Sequence, residues 1–211
     1  MSLPDRAPVA VILAAGKGTR MKSRRPKVLF EVLGRTLVRR VVDAALEAGC
    51  SEVVVVVGHE ADQVRSSLGD VPGLVFAEQS GMQGTGQAVQ DARSGTDLSG
   101  RTVLVLPGDV PLIHAETLRS LLAAHCGGVT VATMLPPDPS GYGRIVRDED
   151  GQVVGIVEHR DATEDQRGIG EVNTSIYAID GSFLAGADGQ SGAIGELSTD
   201  NAQQEYLLTD V

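Results

Sequence analysis

The 211-residue chain contains no tryptophan, and aromatic residues make up only 3% of it, so any core must be assembled from Val, Leu, Ile and Ala. Cysteine is nearly as scarce. Cys50 and Cys126 are the only two, and their spacing fits neither a metal nor a redox motif, which leaves small buried hydrophobes in a reducing compartment as the reading. The four histidines lack the H-x-x-x-H spacing that sets two ligands on one helix face. No apolar run approaches the length of a membrane helix, and Met1 to Pro8 has no signal-peptide hydrophobic region, so a soluble, cytoplasmic protein is expected. A basic excess is missing too. The formal net charge of −10 argues against a nucleic-acid partner.

What is present is locally organised. Arg6, Lys17, Arg20, Lys22, Arg24, Arg25, Lys27, Arg35, Arg39 and Arg40 crowd the first forty positions against only Asp5 and Glu31, which suggests either a local anion site or a solvated basic face. Continuous apolar runs at Val9–Leu13, Glu52–Val57 and Thr102–Leu106 predict strands buried on both faces. Helical spacing marks Leu37–Leu46, Ala61–Leu68, Gln87–Ala92 and Ala115–His125, and a further strand is predicted near Leu74–Ala77. This alternation predicts a parallel sheet covered by helices, with ligands bound beyond the carboxyl ends of the strands, near Gly16, Gly58 and Gly108. After Thr130–Leu135 the pattern changes. Tyr142–Arg147 and Gln152–Val157 flank Asp148-Glu149-Asp150-Gly151 as a predicted β-hairpin, and Glu171–Ile179 reads as one more strand.

The segment Leu13-Ala14-Ala15-Gly16-Lys17-Gly18-Thr19-Arg20-Met21, followed by Pro26-Lys27, carries the most chemistry. A strand delivers a small glycine-rich turn whose backbone N–H groups can approach a phosphate, and Lys17, Arg20 and Lys27 supply positive charge. Met21 replaces the third glycine of a dinucleotide fingerprint, and the spacing is not that of a P-loop. Alone, the turn is equally a tight turn; the basic cluster favours phosphate. Asp109 follows a buried strand and Gly108, where a carboxylate suits Mg²⁺ or merely caps a turn before Pro111. Gly84-Thr85-Gly86 precedes a helical run as a candidate cap, and Glu158 and Asn173 read by themselves as surface residues at strand ends.

These segments together resemble the sugar-nucleotide pyrophosphorylase signature L-A-A-G-x-G-T-R-M followed by P-K. More closely, the chain is similar to the uridyltransferase half of bacterial bifunctional N-acetylglucosamine-1-phosphate uridyltransferases/glucosamine-1-phosphate acetyltransferases, in the nucleotide-diphospho-sugar transferase superfamily. The matches run in order through Gln79, Gly84-Thr85-Gly86, Gly108 to Leu112, Gly141 to Ile145, Ile156 to His159, Glu171 to Thr174 and Asn201 to Asp210. The resemblance implies an α/β, Rossmann-like doubly wound, mostly parallel sheet with helices on both faces and a small β-rich sugar-binding insertion. It implies uridylyl transfer from UTP to N-acetylglucosamine 1-phosphate with Mg²⁺ as cofactor and pyrophosphate as product, feeding peptidoglycan and lipopolysaccharide precursors.

Residue by residue, the resemblance assigns catalysis to Arg20, Lys27 and Asp109, with Asp109 on the metal. It assigns the nucleotide to Leu13, Ala14, Ala15, Gly16, Lys27, Gln79, Gly84, Thr85, Pro107, Gly108 and Asp109, and the sugar to Gly143, Glu158 and Asn173. Two departures bear on specificity: Met82-Gln83 precedes Gly84 where the family has Q-L, and Pro107 stands where it commonly has Tyr before Gly-Asp. A different base or sugar, or a catalytically silent nucleotide sensor, is therefore the alternative. Residues 1–211 contain no hexapeptide repeat, so neither the acetyltransferase activity nor its trimer is expected. The resemblance also places a second, asparagine ligand for Mg²⁺ beyond Asp210, and a nucleotidyltransferase domain truncated at its C-terminus is the expectation.

Overall fold

The computed structural model describes residues 6–16, 18, 21–23, 25–79 and 84–185. Lys17, Arg20, Met82, Gln83 and the Asn201–Asp210 motif lie outside them.

The first half is built from the three apolar runs. Strands β1 (Val9–Leu13), β4 (Glu52–Val57), β5 (Leu74–Glu78) and β6 (Thr102–Pro107) lie parallel in the order β5-β4-β1-β6. Alternate residues of each strand go to opposite faces, and both faces are covered, so nearly every position is apolar. On one face Ala10, Ile12, Val53, Val55, Leu104 and Leu106 pack under α1 (Leu37–Glu47), α2 (Ala61–Leu68) and α4 (Ala115–Ala124). On the other, Val9, Val11, Val54, Val56, Val103 and Val105 pack against Ala88, Val89 and Ala92 of α3 (Gly84–Ala92). Helix α1 begins where the Thr36 side chain accepts the Arg39 backbone N–H, satisfying one of the donors a helix start leaves open. Its apolar stripe Val38, Val41, Val42 and Ala45 is fully buried.

The chain runs outward from β1 to β4 and β5, then returns across β1 to β6. Strand order therefore reverses between β1 and β6, the place where an open α/β sheet leaves a crevice. The strands from residue 129 onward continue the same sheet in antiparallel fashion rather than forming a separate layer. β10 (Val172–Asp180) pairs with β6 and with β7 (Val129–Met134), then hands over to the hairpin β8 (Arg144–Arg147)–β9 (Val153–Val157). The parallel sheet expected from the sequence is thus the nucleotide-side half, and the β-rich addition is its antiparallel extension.

Several elements escape the sequence reading. A 3-10 turn follows Pro26 at Lys27–Leu29, and β2 (Glu31–Val32) pairs with β3 (Arg35–Thr36). Two short helices, α5 (Glu164–Arg167) and α6 (Gly181–Ala185), flank β10 in sequence. Cys50 is buried as expected, but Cys126 is exposed, because it follows the end of α4 rather than lying on its packed face.

Candidate active site

The carboxyl ends of the parallel strands are tied into one rim by backbone hydrogen bonds. Ala14 N–H donates to Val56 (2.9 Å), Gln79 N–H to Val57 (2.8 Å) and Gly108 N–H to Leu13 (2.9 Å). Above this rim lies a cleft of about 380 Å³, lined by Leu13, Ala15 and Gly16 from the end of β1, Gln79 past β5, and Gly84, Thr85 and Ala88 of α3. Pro107, Asp109, Lys27 and Ser175 complete the lining. Most of the predicted nucleotide residues therefore converge on one concave surface. Ala14 and Gly108 do not line it; Ala14 packs into the core, and Gly108 serves the rim.

Two glycines are required by close approach. A Cβ on Gly108 would lie 2.9 Å from the Leu13 carbonyl oxygen, so only glycine lets β6 end against β1 and project Asp109 over the cleft. Gly18 adopts φ +58°, and a Cβ there would lie 2.7 Å from the Cβ of Lys27. The turn after β1 thus packs on the root of Lys27 and fixes where that side chain starts.

Lys27 Nζ and Asp109 Oδ2 form an ion pair of 2.6 Å, both side chains about one-third exposed (37% and 31%). A pair this accessible contributes only about 0.2–1 kcal/mol, so it opens cheaply when each charge is offered a better partner. Most of the other described basic residues of the N-terminal stretch are engaged elsewhere. Arg25 pairs with Glu31, Arg35 and Arg39 with Asp43, and Arg39 also with Asp70, while Arg40 donates to the Val32 carbonyl. Among the described residues, then, the basic beginning is mostly a solvated, paired face, and Lys27 alone carries its charge to the cleft.

Gln79 is placed to read a flat ligand edge. Its Nε2 donates to the Gly84 carbonyl (3.0 Å), which holds the amide at the cleft wall. α3 starts at Gly84, earlier than Gln87, where the sequence pattern begins it.

The predicted sugar residues form a second group beside the cleft. Asn173 N–H donates to the Gly143 carbonyl (2.9 Å), and a Cβ on Gly143 would come within 3.3 Å of Glu158 Oε1. Asn173 is 5% exposed, not the surface residue its strand-end position suggests. Its Oδ1 accepts the Ser175 N–H (2.8 Å) and its Nδ2 donates to Tyr177 Oη (2.6 Å), bonds that satisfy a buried amide. Ser175 and Ala88 line the cleft although sequence reasoning passed over both. Ser175 could have been flagged by the polar Asn-Thr-Ser run inside an otherwise apolar strand, whereas Ala88 carries no signal beyond standing four residues after Gly84.

A larger hollow of about 540 Å³ opens beside β7 and β9, but its only charged lining residue, Arg147, is paired with Glu171 at 2.7 Å. It brings together no set of reactive groups.

Comparison with known proteins agrees with this geometry. Residues 10–159 match the family model described as a MobA-like NTP transferase domain. The chain is 46% identical over 215 residues to the bifunctional protein GlmU of Thermobifida fusca, covering 98% of this chain and 43% of that protein. It is 47% identical over 205 residues to GlmU of Caldanaerobacter subterraneus, covering 96% and 43%. The chain thus spans less than half the length of these curated relatives. A UDP-glucose pyrophosphorylase complexed with UDP-glucose shares the fold, with a TM-score of 0.77 at 17% identity over 97% of this chain and 85% of that one.

Proposed function

Because the chain belongs to the MobA-like NTP transferase domain family, we propose that its 211 residues form a nucleotidyltransferase domain that moves a uridylyl group from UTP to N-acetylglucosamine 1-phosphate. The products are UDP-N-acetylglucosamine and pyrophosphate. The observation that carries this reading is the Lys27–Asp109 pair in a cleft that Gln79, Gly84 and Thr85 also line. The pair suits phosphates, and the Gln79 amide suits a base. The bifunctional GlmU relatives, 46–47% identical to this chain, support the choice of UTP and an N-acetylated sugar.

The chemistry asks little of the protein beyond placement. An oxygen of the sugar 1-phosphate attacks the α-phosphorus of the nucleotide in line, a P–O bond forms, and the bond to the pyrophosphate leaving group breaks. The nucleophile is already an anion, so no general base is required; the barrier lies in bringing polyanions together and spreading charge. Lys27, released from Asp109, stabilises the phosphate oxygens and the departing pyrophosphate. Arg20 is assigned to the same task from its motif. The backbone at Leu13 to Gly16 receives the phosphates without side-chain obstruction. Gln79 presents donor and acceptor to the uracil edge, and Gly143, Glu158 and Asn173 receive the sugar.

Asp109 fits Mg²⁺. Among the described residues no group of three or more His, Cys, Asp or Glu is placed to hold a resident ion. A single accessible carboxylate is the donor set expected of magnesium that arrives with a nucleotide and keeps water and phosphate as its other ligands. When bound, the ion would neutralise phosphate oxygens as a Lewis acid. The role assigned to the product is the supply of activated sugar for cell-wall and lipopolysaccharide precursors in the cytoplasm. Among the described residues no helix is long and apolar enough to cross a membrane.

The test is pyrophosphate release from each of four nucleoside triphosphates against a panel of sugar 1-phosphates. UTP with N-acetylglucosamine 1-phosphate should give the highest kcat/KM, and Asp109→Asn should remove most of the Mg²⁺-dependent rate while the protein stays folded. Preference for another pair would reassign specificity on the same site. Nucleotide binding without pyrophosphate release for any pair would make the domain a sensor.

A further inference from the structure

Among the described residues that line the nucleotide cleft, the charged ones are Lys27 and Asp109, and their charges are opposite. Their side chains meet at 2.6 Å. The backbone fixes both roots. Asp109 follows Gly108, whose close approach to the Leu13 carbonyl ends β6 against β1, and Lys27 starts where Gly18 packs on its Cβ. The described lining therefore carries no net charge, and the Lys27 ammonium is held by a carboxylate rather than kept ready for phosphate.

Two forms of a nucleotide meet this pair differently. A metal-free triphosphate attracts Lys27 but repels Asp109. It must part the pair and leave the carboxylate facing more negative charge. A triphosphate that carries Mg²⁺ offers each member an opposite charge, phosphate oxygens to Lys27 and the cation to Asp109. At 37% and 31% exposure the pair is solvated enough to open for that ligand. Discrimination of this kind comes as much from what the wrong ligand loses as from what the right one gains.

We propose that the Lys27–Asp109 pair selects the form of the nucleotide: Asp109 withholds Lys27 from metal-free nucleoside triphosphate and releases it to the metal-bound form. This rests on the reading of the cleft as the nucleotide site with Asp109 facing Mg²⁺. It gives Asp109 a second task, one that acts before any chemistry. Binding effects are reciprocal, so a nucleotide that draws Lys27 away also strengthens the hold of Asp109 on the cation.

Calorimetric titration with UTP at fixed ionic strength, in EDTA and in Mg²⁺, reads this selection without turnover. In EDTA, Asp109→Asn should bind UTP more tightly than the parent by about fivefold, the upper scale of a partly exposed ion pair. Asp109→Ala, which cannot hold Lys27 even by a neutral hydrogen bond, should gain at least as much. In a Lys27→Ala background the gain should shrink, because no ammonium is left to release. In Mg²⁺ the order should reverse, with the parent binding UTP more tightly than either Asp109 variant. Metal-free affinity no better than the parent's in both variants, with the parent binding UTP normally in Mg²⁺, would overturn the selection alone. An equal gain with and without Lys27 would overturn it as well, since Asp109 would then act by simple repulsion. Failure of the parent to bind UTP in either medium would overturn the nucleotide site and this proposal with it.

Discussion

Replacing Gly18 with alanine should damage the site through a residue that the substrate need not touch. Two costs follow from its geometry. Holding an L-residue at φ +58° costs about 1–2 kcal/mol. The new Cβ would also lie 2.7 Å from Lys27 Cβ, the fixed root of that side chain rather than its flexible tip, so the phosphate turn and Lys27 must move apart. Overpacking of this kind costs about 1–3 kcal/mol when it cannot relax. Relaxation here means displacing Lys27 relative to Asp109, and a misplacement near 1 Å is worth roughly 10²-fold in rate. Gly151, at φ +79° in the β8–β9 turn with nothing within 4 Å of an added methyl, is the matched control. Gly151→Ala should lose about 1–2 kcal/mol of stability and keep its kinetics. Gly18→Ala should lose at least as much stability and about 10²-fold in kcat. Urea denaturation and initial rates of pyrophosphate release read both quantities. Parent-like turnover in a folded Gly18→Ala protein would refute the claim that this turn sets the position of Lys27.

Lys27→Ala should lower kcat by about 10²–10³, the scale of one charge acting mainly in the transition state, with little loss of stability because the ion pair is partly solvated; unchanged steady-state turnover would remove Lys27 from the mechanism. Burial pushes the Cys50 thiol up to about 12, whereas Cys126 is exposed. A colorimetric thiol reagent should therefore titrate one cysteine in the native protein and the second only after denaturation, and rapid native labelling of both would contradict the packing around Cys50. The Arg147 guanidinium, with help from Thr133, holds the Glu171 carboxyl down to about 2. Its folded pKa lies below its unfolded one, so the stability it adds is present above the ordinary carboxylate value near ~4.3 and fades as pH falls toward 2. The Tm difference between the parent and Glu171→Gln should shrink over that window; a difference independent of pH would refute the coupling.

The parallel half of the fold was readable because its strands are buried on both faces. Val9–Leu13 and Glu52–Val57 are continuous β-branched and apolar runs, a pattern that a half-exposed strand or an amphipathic helix does not produce. The placement of a cleft beyond Gly16 and Gly108 followed from topology, since parallel strands must be joined by crossovers and the reversal of order leaves a gap. The elements missed are those whose sequence has no period to show. Glu31–Val32 and Arg35–Thr36 are too short to alternate, and the bulge at Ser175 breaks a pairing register that only β7 defines. The basic cluster left an anion site and a solvated face open, because charge counts do not reveal that Asp43 and Asp70 come within reach of Arg35 and Arg39 once α1 folds. Asn173 was readable as polar but not as buried, because its partners Ser175 and Tyr177 face it only across the bulge.

The most direct test of the central claim is a phosphorus NMR time course of the protein with UTP, N-acetylglucosamine 1-phosphate and Mg²⁺. The predicted spectrum loses the UTP and sugar phosphate resonances together and gains those of a nucleotide diphosphosugar and of pyrophosphate in equal amounts, at a rate suppressed at least a hundredfold in Lys27→Ala. UTP that persists, or that yields inorganic phosphate and UDP instead, would contradict the account.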